Sequence, residues 1–285
     1  MIKLIADSCC DTTEQMREDL ELTLAPLTIM LADGTTFEDT LELDIPEMLT
    51  QMKKSDSVKT NCPSIEEYAK YMYRHDECLV VTIASFLSGS YNSASAARDM
   101  VLDEFPNKKI HVFDSLNACA GETRLVLYIR QLIDEGLSFE EIVEKTDSFI
   151  DRLCTMFVLE DLGNMIKNGR LSKLSGRIAS VLNIYPILYK RKVGEIKMIA
   201  KVRGLKNALD RMVGYIKEWT KQASPQSVLL TLSHCEALQR AEEVKAKILS
   251  SCPAIREVIV SPTGGLSTVY ANRGGIIVAF PADAI

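Results

Sequence analysis

Apolar positions along this chain fall into two periods, short runs of strand type and longer stretches at helical spacing. The clearest case is a nearly unbroken apolar run at residues 79–84. A hydroxyl-rich loop follows, and then Ala94, Ala96, Ala97, Met100, Val101 and Phe105 recur as on one helix face. This reads as buried strand, tight loop, helix. The same grammar repeats on both sides. Residues 2–6 form a strand ending in Asp7-Ser8, after which Asp11 or Thr12 caps a helix to about Leu20. Residues 23–31 form another strand, and Ala32-Asp33-Gly34-Thr35 a hairpin turn. A helix starting at Pro46 ends near Met52, and the polar loop 58–64 leads through Ser64-x-x-Glu67, a capping box, into a helix reaching Tyr73. Residues 109–113 are a strand ending in Asp114-Ser115, 118–135 a helix stopped by Gly136, and Ser138 with Glu141 a second capping box. Strands alternating with helices of this length predict right-handed crossovers and a mainly parallel sheet.

Past residue 154 the texture changes. Residues 184–189 and 196–202 flank a turn at Val193-Gly194-Glu195, as an antiparallel pair does. Leu171, Leu174, Ile178 and Val181 share a helix face within 170–182. The stretch 205–220 is amphipathic, strands at 228–232 and 257–261 bracket a helix at 237–250, and 275–280 is a last strand. The expected architecture is two α/β domains: residues 1–154 with a mainly parallel sheet, and 155–285 with a mixed or antiparallel one. The expected ligand site lies in the first domain and the cleft between the two.

Composition narrows the class. Hydrophobic residues are 47% and charged residues 25% of the 285, ordinary for a soluble globular protein, and no apolar run is long enough for a bilayer span. A formal charge of −6 speaks against a nucleic-acid partner and a basic membrane anchor. The start runs directly into a strand pattern rather than a signal peptide. The eight cysteines are scattered with no Cys-x-x-Cys, which predicts reduced thiols, a cytoplasmic setting, and neither a metal site nor a disulfide framework.

Three hydroxyl-rich loops, around Ser8, at Thr60 to Ser64 and at Ser85 to Ser90, are placed where an open α/β sheet binds ligands, at the carboxyl ends of its strands. Each has a plain alternative as a strand end or a helix cap. Together they supply donors without a base, an arrangement for holding an anion. Arg170, after Gly169, is either an exposed residue at a helix end or a cleft residue whose fork pairs an acid. Gly264-Gly265 and Gly274-Gly275 suit a close backbone approach or ordinary turns. There is no Gly-x-Ser-x-Gly elbow, no Gly-x-Gly-x-x-Gly and no P-loop. The rival reading is an enzyme using the same loops, such as an esterase with Ser85 or Ser88 as nucleophile.

Seven short motifs, in order, carry a resemblance: Ile5-Ala6-Asp7-Ser8, Thr60-Asn61-Cys62-Pro63-Ser64, Ser88-Gly89-Ser90-Tyr91-Asn92-Ser93-Ala94, Phe113-Asp114-Ser115, Asn168-Gly169-Arg170-Leu171, Leu182 to Leu188, and Lys201-Val202-Arg203. On these the chain resembles the bacterial DegV family of fatty-acid-binding proteins. The resemblance implies a carrier rather than an enzyme, with one long-chain fatty acid as its ligand and no cofactor. It implies a dihydroxyacetone-kinase-like fatty acid kinase as partner, which phosphorylates the bound carboxylate. The family's carboxylate-binding positions match Thr60 and Ser85, with Ser8, Asn61, Ser88, Ser115, Arg170 and Tyr270 as the supporting network. Leu27, Ile29, Ile83, Leu116, Leu125 and Ile129 are the candidate tunnel walls, and a core position serves each equally well. The chain departs from the family pattern at Asn61-Cys62, usually Ser-Gln, and at Gly264-Gly265 with Tyr270, where the family often carries Gly-Pro and a histidine.

Overall fold

A computed structural model describes residues 2–171, 183–190 and 195–282. The chain opens with β1 (Ile2–Asp7), α1 (Glu14–Asp19) and β2 (Leu22–Ala25), then β3 (Thr28–Leu31), β4 (Thr36–Glu38), α2 (Ile45–Lys54) and β5 (Val58–Asn61). Next come α3 (Ile65–Met72), β6 (Glu77–Thr82), α4 (Ser90–Glu104), β7 (Lys109–Asp114), α5 (Ala120–Asp134) and α6 (Phe139–Ile150). The remainder is β8 (Leu153–Val158), α7 (Gly163–Lys167), β9 (Ile184–Lys190), β10 (Ile196–Arg203), α8 (Leu205–Trp219), β11 (Val228–His234), α9 (Leu238–Ser251), β12 (Ile255–Pro262), α10 (Gly265–Ala271) and β13 (Ile276–Pro281).

The fold is α/β, as the alternation predicts. Strands β2-β1-β6-β7 make an all-parallel sheet. A second sheet, β10-β9-β8-β13-β11-β12, is mixed, with only β11 and β12 parallel. Parallel strands are apolar on both faces because helices cover both. In β6, Leu79 and Val81 join the central core while Cys78 and Val80 pack with Tyr68 and Met72 of α3 and Ala94, Ala97 and Val101 of α4. In β8 the same alternation sends Leu153 and Phe157 to the central core, and Met156 and Val158 to the layer under α8 and α9. Helix α5 lies between the two sheets, touching β1 and β6 on one side and β8, β11 and β13 on the other. One core, built from Leu4, Leu79, Leu125, Ile129, Phe157 and Ile277 among others, therefore spans both.

The structure differs from the sequence reading at four places. Helix α1 takes its cap from Thr13, whose Oγ1 accepts the Met16 N–H at 3.2 Å, rather than from Asp11 or Thr12. The strand expected over 23–31 is two strands in two sheets. Pro26 between them has no N–H to continue the ladder; β2 pairs with β1, while β3 forms a small antiparallel sheet with β4 and β5. The loop expected at 58–64 begins as β5, paired to β3. Residues 265–271 form α10, which the glycine pattern did not suggest. The helix face at Leu174, Ile178 and Val181, and the Val193-Gly194 turn, lie outside the described residues. Ser138 and Glu141 make the full capping box, each side chain bonding the other's backbone, so Ser138→Ala should cost about 1 kcal/mol and lower the melting temperature by a few degrees in calorimetry.

Candidate functional site

Where Leu27 ahead of β3, β5, the β6–α4 loop and α10 meet there is a cavity of about 410 Å³. Its inner wall is apolar and deeply buried. Leu27 and Leu266 are 1% and 2% exposed, Cys9 1% and Ile83 6%, and Leu87, Ala118 and Cys119 pack on them. Its other wall is polar and half-buried: Thr60, Cys62, Ser88 and Arg170, with Asn61 and Gly89 exposed at the edge. Tyr270 belongs to both. Its ring packs with the buried group, and its hydroxyl lies 3.0 Å from Thr60 Oγ1. The Arg170 guanidinium lies over the Tyr270 ring, 5.6 Å from its centre, within range of a cation–π contact. Arg170 Nε donates to the Leu87 carbonyl at 3.2 Å and Nη1 to that of Asn168 at 2.8 Å, which ties the α7 end to the β6–α4 loop. The N-terminus of α4 opens at Gly89 with no side-chain cap and no acid in its first turn. Hydroxyls, one cation and a helix start thus border the mouth, and no Asp, Glu or His is among the described lining residues. That set stabilises an anion.

Three buried carboxylates hold the backbone around this cavity. Asp7, ending β1, accepts the N–H of Cys9 at 3.1 Å and of Ile83 at 2.8 Å. Asp39 accepts the N–H groups of Gly265 at 2.6 Å and Leu266 at 2.9 Å and the Ser8 hydroxyl at 2.8 Å, thereby capping α10 from a residue distant in sequence. Asp11 accepts the N–H of Gly264 at 2.9 Å. Burial pushes Asp7 up to about 6, Asp11 to about 7, and Asp39 above its ordinary value. Gly265 is required for this approach, since a Cβ there would sit 2.5 Å from Leu43 and 2.8 Å from Asp39 Oδ1.

Of the residues singled out in the sequence, the structure gathers Thr60, Asn61, Ser88, Arg170 and Tyr270 at the mouth and Leu27 and Ile83 in the inner wall. Ser85 stands elsewhere. It is exposed, its N–H bound to Asp114 Oδ1 at 3.0 Å, and the turn that follows brings Leu87, Ser88 and Gly89 to the cavity instead. Ser8 is buried on Asp39 and the Leu27 N–H, and Ser115 is turned onto Asn117, so neither reaches the lining. Leu125 and Ile129 lie in the central core with Leu116 packed against it, and Ile29 packs with Met48 and Val269. Sequence reasoning missed Cys9, Ala118, Cys119, Leu266 and Ser267 of the lining, and Asp39 behind it. Asp39 had no local signal, because the N–H groups it caps lie in α10, on the far side of the chain.

An α/β fold of three sheets with a donor-lined mouth over a buried apolar cavity has the architecture of a small-molecule site. The DegV family model matches residues 1–281, and the chain belongs to that family. It is similar to a DegV domain-containing protein of Streptococcus pneumoniae, 35% identical over 99% of both chains. Among solved structures it is similar to a DegV family protein of Ruminococcus gnavus refined with vaccenic acid, at 37% identity and TM-score 0.90, covering 98% of this chain and 99% of that one. It is also similar to the fatty acid kinase (Fak) B3 protein of S. pneumoniae loaded with linoleic acid, at 32% identity and TM-score 0.88, covering 99% and 100%. No helix among the described residues is long and apolar enough to cross a membrane.

Asp39→Ala leaves the Gly265 and Leu266 N–H groups without an acceptor. It should destabilise the protein by roughly 2 kcal/mol or more, read as a fall in the urea midpoint.

Proposed function

We propose that the cavity binds one long-chain fatty acid, its carboxylate at the mouth and its acyl chain against Leu27, Ile83, Ala118 and Leu266. The observation that carries this reading is the pairing of a mouth bordered by donors and one cation with a deeply buried apolar wall. Thr60, the Tyr270 hydroxyl and Arg170 are the head-group residues, and Ser88 takes the place first assigned to Ser85. Burial of ~16 carbons at roughly 0.8 kcal/mol per methylene contributes on the order of 10 kcal/mol before association and ordering costs. The tail therefore supplies affinity, and the hydroxyls set orientation. Fatty acids bound in the similar structures from R. gnavus and S. pneumoniae support the ligand class.

The protein acts as a carrier that presents the carboxylate to a fatty acid kinase. The half-exposed mouth supports this, since Thr60, Asn61 and Ser88 stand where a partner can reach the head group, and so does the likeness to a fatty acid kinase B protein. The absence of an acid or imidazole among the described lining residues leaves Ser88 without an activating base, which favours holding over hydrolysis. With all eight cysteines free, the cytoplasm is its place of action.

Calorimetric titration of delipidated protein with oleate should give one site per chain. Thr60→Val should weaken it about tenfold, one hydrogen bond to an anion, and Ala118→Phe should abolish it with the circular dichroism unchanged. Unaltered oleate binding by a folded Ala118→Phe protein would overturn the assignment.

A further inference from the structure

At the inner wall Cys9 meets two buried side chains from behind it, Asp7 at the end of β1 and Glu122 in the first turn of α5. One ligand-type atom from each lies within 4.8 Å of the others. Asp7 and Glu122 are both fully buried, and neither lines the cavity. Their bonding differs. Asp7 holds the N–H groups of Cys9 and Ile83, two residues of the wall. Neither oxygen of Glu122 has a hydrogen-bond partner among the described residues. The groups facing the pair are Cys9, Cys10 and Asp11 after β1, Cys119 before α5, Tyr68 on α3 and Ser90 on α4; none is a cation. Two ionised carboxylates this close, without a counter-charge and without water around them, cost far more than the fold can absorb.

We propose that Glu122 is kept as the neutral acid with its proton directed at the Asp7 carboxylate. The pair is a positioning device, which holds Asp7 on the backbone of Cys9 and Ile83 and so fixes the wall against which the acyl chain lies. The last step rests on the fatty-acid reading of the cavity. The electrostatics agree. Burial, with Asp7 adding to it, drives Glu122 well above the carboxylate range, while Asp7, relieved by its backbone donors, rises only to about 6. An acid whose folded value is raised stabilises the fold most at low pH, and that contribution falls away as pH climbs through the folded value. The wall is therefore firm near neutral pH, where Asp7 is ionised and Glu122 is protonated. It loosens in alkali, when both groups ionise.

Infrared difference spectroscopy on the whole protein at neutral pH should show the carbonyl stretch of a protonated, deuterium-sensitive carboxylic acid, absent from Glu122→Gln. Retention of oleate, measured against pH, should fall at least tenfold in alkali for the natural protein. From neutral pH upward it should stay flat for Glu122→Gln, whose amide donates to the Asp7 carboxylate throughout, and be lost for Glu122→Ala. Absence of the protonated-acid band would overturn the inference, as would Glu122→Gln behaving like Glu122→Ala. So would a stoichiometric divalent metal removed by the glutamine variant, which would give the cluster to a cation. Should the protein bind no oleate at any pH, the fatty-acid reading falls, and the infrared band still decides where the proton resides.

Discussion

A wall that faces a cavity cannot be held by packing across it, so something else must fix the backbone behind it. Here that task falls to buried carboxylates. Asp7 ties the loops after β1 and β6, Asp39 seats the first turn of α10, and Asp11 binds the approach to that helix at Gly264. Each accepts backbone N–H groups that would otherwise be orphaned next to an apolar bore, a cost the fold avoids throughout. Side chains there line a cavity rather than pack only on each other. That is why Leu27, Ile83, Ala118 and Leu266 form a small satellite cluster instead of merging with the large cores on either side.

The same arrangement couples the two sheets. Helix α5 supplies the shared core through Leu125 and Ile129, while its start, at Cys119 and Glu122, stands against the cavity wall and the carboxylates. Helix α10 carries Leu266, Ser267 and Tyr270 from the mixed-sheet half onto the cavity, and Asp39, from the other half, holds it there. The mouth is likewise assembled from distant parts of the chain: Thr60 from β5, Ser88 before α4, Arg170 after α7 and Tyr270 from α10. The cavity is thus a property of the assembled fold and not of any one motif.

Much of this was legible in the sequence because it depends on local rules. The strand-loop-helix unit at residues 79–105, the Asp33-Gly34 hairpin and the Ser138 capping box all follow from period, turn chemistry and side-chain reach within a few residues. The mouth was partly legible because its hydroxyl residues follow strands at the end of an open α/β sheet where ligand loops gather. What could not be read was long-range. Ser85 and Ser88 sit three residues apart in one loop, and only the turn held by Asp114 decides which faces inward. Leu125 and Ile129 look like tunnel walls or core positions alike until α5 is placed between the sheets. Helix α10 is short, starts on two glycines and takes its cap from Asp39, so no window around it contains the reason it forms.

Native mass spectrometry of the protein purified from cells, with no lipid added, tests the central claim most directly. The account predicts a single species heavier than the bare chain by the mass of one long-chain fatty acid, which organic extraction recovers in equal molar amount. A bare-chain mass alone, unchanged after incubation with saturated and unsaturated acids of that length, would contradict it.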